Sequence, residues 1–271
     1  MAAGGAARRE VMRRILFGLA TLTTSLVGGP ATAAIFTYVV TGTVVGGGNE
    51  GNATFGDDVI GRAFSASFEV DDALPTALYA ASATGSSAQG GGLVQPGTRP
   101  PVTATLTING ISYAIRTGER KQEPTCYPEI GECFGSTWTE DDRGGIVKDA
   151  GARQLSLFGG YRSFDNSPGL FFRNMADALD FTLRSADFTV PDYRQPGSYA
   201  VTGTGSFATS YDLVAYSGGS EYSATRLSLA PTRLSVGGGV PEPATWAMMI
   251  LGFGLIGAAM RAQARPVAAR A

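Results

Sequence analysis

Residues 103–116, TATLTINGISYAIR, decide the fold class. Ala104, Leu106 and Ile108 alternate with threonines, and Ile111, Tyr113 and Ile115 alternate with polar or small residues on the far side of Asn109-Gly110. A period of two puts one set of side chains on a buried face and the other in water. Asn-Gly tolerates the positive φ angles of a type I′ turn, so the spacing predicts a β-hairpin. The same alternation recurs upstream at residues 62–70, where Phe64, Ala66, Phe68 and Val70 share a face. Residues 35–45 are β-branched and aromatic.

Further strands are expected at residues 153–158, 179–183, 187–190, 199–207, 211–216 and 222–236, the last with a break near Pro231. Asn174 to Leu179 reads as a single helical turn. Short strands punctuated by turn residues point to an all-β domain, a sandwich or jelly roll, over residues 34–239. Residues 80–101 carry few large apolar side chains and read as a low-complexity surface loop. One internal echo is visible: Tyr38-Val39-Val40-Thr41-Gly42-Thr43 resembles Tyr199-Ala200-Val201-Thr202-Gly203-Thr204. It suggests that these two segments are neighbours in one sheet.

The two ends of the chain differ from this body. Arg13 and Arg14 precede an apolar stretch at residues 15–27, and Ala31-Thr32-Ala33 is an A-x-A cleavage site, the pattern of a signal peptide spanning residues 1–33. Met12 is the more natural start of that signal, which makes residues 1–11 an upstream extension. Export through the Sec translocon and removal of the signal by signal peptidase are expected. At the other end, Pro241-Glu242-Pro243 leads into an uncharged apolar run over residues 244–260, followed by Arg261, Arg265 and Arg270. Seventeen residues is about the minimum for a helix crossing a ~30 Å hydrocarbon core. Arginines beyond the run would hold the C-terminus in the cytoplasm.

Pro241, Glu242, Pro243, Trp246 and Ala247, followed by Met248-Met249-Ile250 and Gly252-Phe253-Gly254, resemble the PEP-CTERM sorting signal in its PEPxxWA form, known from Gram-negative proteobacteria. The resemblance covers residues 240–261 only. It departs from the family in spreading its arginines instead of clustering them. It implies a transient membrane anchor, cleavage near Pro-Glu-Pro by an exosortase, and association with exopolysaccharide and biofilm systems.

Composition narrows the chemistry of the body. Between Ala34 and Gly239 there are 14 basic and 21 acidic side chains, a net charge of −7, which argues against nucleic acid as a partner. The chain has no histidine, so the usual general base of Ser-His-Asp and Cys-His sites is missing. Paired carboxylates, as in a carbohydrate hydrolase, need only two acids across a cleft. Asp57, Asp58, Asp71, Asp72, Glu140, Asp141 and Asp142 are candidates, all read as loop acids. Asp71-Asp72 closes a strand and the last three precede Gly144-Gly145, so calcium could find oxygen ligands on either turn, although neither has EF-hand or nonapeptide-repeat spacing. Cys126 and Cys133, six residues of chain apart in an exported protein, are expected to form a disulfide. Tyr127, Phe134 and Trp138 surround them and would either stack on sugar rings or cap the core. The leading expectation is an exported, non-enzymatic surface or extracellular-matrix protein with no cofactor and no metal. A carbohydrate-binding or adhesion module is the alternative, and a carbohydrate hydrolase the third.

Overall fold

The computed structural model describes residues 35–118, 120–122, 125–127, 132–134, 137–167, 171–215, 217–237, 252–254 and 256. Contact density divides the chain into two units, residues 34–240 and a second made of residues 1–33 and 241–271. The first is nearly all antiparallel β. In chain order its strands are β1 Ile35–Glu50, β2 Ala63–Asp71, β3 Leu78–Ala81, β4 Gly85–Gly90, β5 Val102–Ile108, β6 Ile111–Ala114, β7 Arg120–Gln122, β8 Thr125–Tyr127 and β9 Glu132–Phe134. They continue with β10 Thr137–Asp149, β11 Gln154–Ser167, β12 Phe171–Arg184, β13 Gly197–Ala200, β14 Thr202–Ala215 and β15 Gly219–Gly237.

The predicted hairpin is present. β5 and β6 pair with Ile108 opposite Ile111, and Asn109 and Gly110 have φ of 53° and 77°, the left-handed pair a type I′ turn requires. Beyond it, the strands join one hydrogen-bonded path, β3-β4-β10-β11-β12-β14-β15-β1-β2-β5-β6, rather than two separate sheets. β7 pairs with β10, β13 pairs with β15, and β8-β9 form a small ladder of their own.

This single sheet curls until its two arms face each other. The ring of Phe181 in β12 stacks on Phe64 at 5.7 Å and meets Phe68 edge-on at 5.9 Å, although β2 stands four places from β12 along the path. Phe207 of β14 similarly touches Phe55 at 5.3 Å and Tyr113 of β6 at 5.4 Å. Tyr38, Ala66, Phe68, Leu106, Leu157, Leu179 and Phe207 are among the fully or almost fully buried side chains of one continuous core. Each fully buried aromatic of this kind stabilises the fold by about 1.5–3 kcal/mol relative to exposure.

Glycine makes the closest approach achievable. Gly144 and Gly159 face each other across β10 and β11 where β5 crosses. A Cβ on Gly144 would lie 2.7 Å from the Val102 carbonyl oxygen, and one on Gly159 would lie 3.1 Å from the Ala104 methyl. Backbones can come this near only where a side chain is missing.

Several sequence expectations are corrected. Residues 80–101 are not a loop throughout: β4 lies inside them, pairs with β10 from Gly85 to Gly90, and buries Ala88 completely. Backbone pairing, which needs no large side chain, orders it. Asn174 to Leu179 is part of β12 and not a helical turn, since its backbone is paired on both sides with β11 and β14. The expected break at Pro231 is a bulge within β15, where the β1 register shifts between Thr41 opposite Arg233 and Gly42 opposite Pro231. A bulge is where a strand accommodates a residue that has no N–H to donate. The two echoed segments share a sheet but are not neighbours. They flank β15, with Val40 and Tyr199 both opposite Leu234.

Among the described residues, no helix is long and apolar enough to cross a membrane. Gly252, Phe253, Gly254 and Ile256 are helical and exposed. The signal peptide expected over residues 1–33 and most of the helix expected over residues 244–260 lie outside the described residues.

Candidate functional site

A cleft of about 650 Å³ lies at the seam where β10 runs past the ends of β2 and β5. Four carboxylates line it: Glu69 and Asp71 from β2, Glu140 and Asp142 from β10. Arg99, Pro100 and Pro101 form the adjoining wall. Glu140, Asp141 and Asp142, expected on a loop, lie within β10, where pairing with β11 extends their backbone. Strand alternation then separates them. Glu140 and Asp142 enter the seam cleft, whereas Asp141 lines a different depression with Arg162, Phe164 and Asn174. Glycines 144 and 145 are likewise mid-strand and serve close packing, not a cation-binding turn.

The candidate acids hold structure in specific ways. Asp142 is 4% exposed and accepts the Gly118 N–H at 2.7 Å, which ties the segment after β6 to β10. Asp71 accepts the Ala73 N–H at 3.0 Å and so closes its own turn. Its neighbour Asp72 points elsewhere, accepting Tyr193 Oη at 2.6 Å and the Arg194 Nε and Nη2 at 2.6 and 2.7 Å. Asp58 pairs with exposed Arg62, and Asp57 is exposed. Asp71 and Asp72 therefore diverge, and no group of three or more His, Cys, Asp or Glu among the described residues is placed to hold a metal ion.

Two buried polar clusters escaped the sequence reading. Asp177, in the middle of β12 and fully buried, accepts Tyr113 Oη at 2.6 Å and Thr209 Oγ1 at 2.8 Å, with Arg116 Nε 3.6 Å from its other oxygen. Burial, followed by the bond to Asp177, pushes the Tyr113 phenol up to about 12. At the opposite end, Lys148 is 4% exposed, donates to the Asp192 carbonyl at 2.9 Å and sits 5.6 Å from the Phe188 ring. Burial lowers its pKa, opposed by Asp192. Ser86 accepts the Tyr193 N–H and donates to the Pro191 carbonyl, so the segment between β12 and β13 is held from three sides. The only sequence signal for these contacts was a charged or hydroxyl residue within an apolar alternation.

The small β8-β9 ladder places Cys126 opposite Cys133 and Thr125 opposite Phe134, with Tyr127 opposite Glu132. Trp138 follows in β10, opposite Gln122 of β7 and Asp165 of β11. Ala31 and Ala33, expected at the signal cleavage site, Pro241, Glu242, Pro243, Trp246 and Ala247 of the motif, and Arg261 and Arg265, expected to retain the C-terminus, lie outside the described residues.

β15 ends at Gly237, paired with Thr37 of β1. No match is found among curated proteins or solved structures. Residues 239–265 do match a family model, that of the PEP-CTERM protein-sorting motif, which begins two residues beyond the last strand. The body of the chain is thus a curled antiparallel β domain followed in the chain by a PEP-CTERM sorting signal, which marks it for export and exosortase-dependent sorting to the cell surface.

Proposed function

We propose that residues 34–239 form a non-catalytic cell-surface or extracellular-matrix domain, associated with exopolysaccharide or biofilm material. The Sec translocon exports it, signal peptidase cuts after Ala33, and the helix over residues 244–260 holds it in the inner membrane with a cytoplasmic C-terminus. An exosortase then cuts near Pro241–Pro243 and releases the domain to the surface. One observation carries this reading: the sorting motif starts two residues after β15, so the β domain itself is the cargo. Of the candidate acids, Asp71, Asp72 and Asp142 close turns and tie strands and segments together, the structural part this reading gives them. Mass spectrometry of the mature protein from its host is the test. A mature chain starting at Ala34 and ending near Pro241–Pro243 is expected; one running intact to Ala271 would overturn the processing scheme.

A second reading rests on the seam cleft. Four carboxylates around about 650 Å³ of space are the raw material of a two-carboxylate carbohydrate hydrolase. Polysaccharide hydrolysis lost in both Glu69→Gln and Glu140→Gln, with folding intact, would replace the non-catalytic reading.

A further inference from the structure

The outer face of the sheet carries a row of side chains that no sequence motif announces. Register places Phe164 of β11 opposite Asn174 of β12, Asn174 opposite Asp212 of β14, and Asp212 opposite Tyr222 of β15. All four project from the face opposite Asp177, Leu179 and Phe207, which point into the core. The row begins and ends on an exposed aromatic: Phe164 is 38% and Tyr222 46% exposed. Three strand spacings separate them, about 14 Å. Phe172 braces Phe164 edge-on at 5.2 Å between centroids, so this ring is held by its neighbour while part of it stays in water.

Beside the row the surface is concave. Phe164, Asn174, Asp141, Arg162 and Thr139 surround a depression of about 390 Å³, and a second of about 120 Å³ opens over the small side chains of Ala176, Ala208 and Ser210. Carboxylate, guanidinium and carboxamide groups therefore stand around and between two exposed rings.

We propose that this face binds an extended, uncharged polysaccharide. A pyranose ring has an apolar C–H face and a rim of hydroxyls that both donate and accept. Phe164 and Tyr222 supply flat apolar surfaces for two sugar faces, with little side-chain entropy to lose. Asn174, Asp212, Asp141 and Arg162 supply acceptors and donors for the hydroxyls between them. A row across four strands suits a chain ligand lying over the sheet, not a monosaccharide in a deep pocket. The domain's net charge of −7 disfavours an anionic polymer. Phe164 and Tyr222 thus take the part that the sequence reading offered to Tyr127, Phe134 and Trp138. The inference rests on the domain reaching the outside of the cell, but its test does not depend on processing.

The test is affinity electrophoresis of the full chain, kept in mild detergent, through gels containing a neutral β-glucan, a galactomannan or alginate. Retardation by at least one neutral glycan is expected, with binding weakened about five- to tenfold or more in each of Phe164→Ala and Tyr222→Ala. Tyr222→Phe should retain binding because it keeps the ring, and Val190→Ala, an exposed apolar change elsewhere, should leave it unaltered. Circular dichroism confirms that each variant is folded, and Tyr222→Ala, on an exposed side chain, serves if Phe164→Ala is not. No retardation by either neutral glycan, retardation by alginate alone, or unchanged retardation in folded Tyr222→Ala would each overturn the proposal. So would sedimentation showing that the rings join two copies of the chain and that glycan has no effect. Failure of exosortase processing with intact glycan binding would sink the sorting scheme and leave this site standing.

Discussion

Tyr113 donates a 2.6 Å hydrogen bond to Asp177, and that bond ties the last strand on the sheet's path, β6, to its middle, β12. Thr209 of β14 donates to the same oxygen at 2.8 Å, so three strands meet at one buried carboxylate. Asp177→Ala would leave Arg116 without its ion-pair partner and the two hydroxyls with only each other. We expect a loss of about 2–3 kcal/mol, and about 1 kcal/mol for Tyr113→Phe, measured by urea unfolding. An unchanged midpoint for Asp177→Ala would show that the curl is held by apolar packing alone.

The seam offers a steric test. Gly144→Ala places a methyl 2.7 Å from the Val102 carbonyl oxygen and 2.9 Å from Pro100 Cβ, a backbone atom and a ring carbon that have little room to yield. It should cost about 1–3 kcal/mol. Gly48→Ala, with nothing within 4 Å of the new methyl, should be close to neutral, so the thermal-shift difference between the two variants isolates the crossing.

Alkaline pH should unfold the domain. Burial is the largest cause raising the pKa of Tyr38, Tyr113 and Tyr193, and the phenol of Tyr113 reaches about 12. The native state therefore holds these protons more tightly than the unfolded chain, whose tyrosines titrate near 10. Their contribution is complete below pH 10 and is lost progressively as pH rises above 10, that of Tyr113 through about 12. Absorbance of tyrosinate should show some of the ten tyrosines titrating late, together with the loss of near-ultraviolet circular dichroism. Titration of all of them near 10 in the folded protein would contradict this.

Cys126 stands opposite Cys133 in the β8-β9 ladder, a register that suits the disulfide expected from the sequence. Peptide mapping without reductant should recover the two residues joined. Cys126→Ser/Cys133→Ser should then lower stability by about 2–3 kcal/mol in the chain-entropy model. Free thiols in protein taken from the oxidising side of the membrane would refute the pairing.

Local rules made the hairpin legible, because Asn109-Gly110 and its flanking alternation depend on no distant residue. The same rules misread residues 174–179, whose helix-forming alanines and leucine are overridden by partners on both sides in β11 and β14. They also misread Gly85–Gly90, whose side chains are too small to announce a strand and whose order comes from β10.

The sequence by itself determined strand character, the Asn-Gly turn and the sorting signal, since each is written in contiguous residues and needs only local φ preferences, alternation or motif spacing. The tertiary structure alone decided that the strands form one curled sheet, that Gly144 and Gly159 mark its crossing, and that Asp177 gathers Tyr113 and Thr209. It also decided that Phe164 and Tyr222 share one exposed row. The physical reason is register: a period-two pattern says which residues share a face of one strand, but not which strand lies beside it. Only the pairing of distant backbones places side chains from four strands in a line.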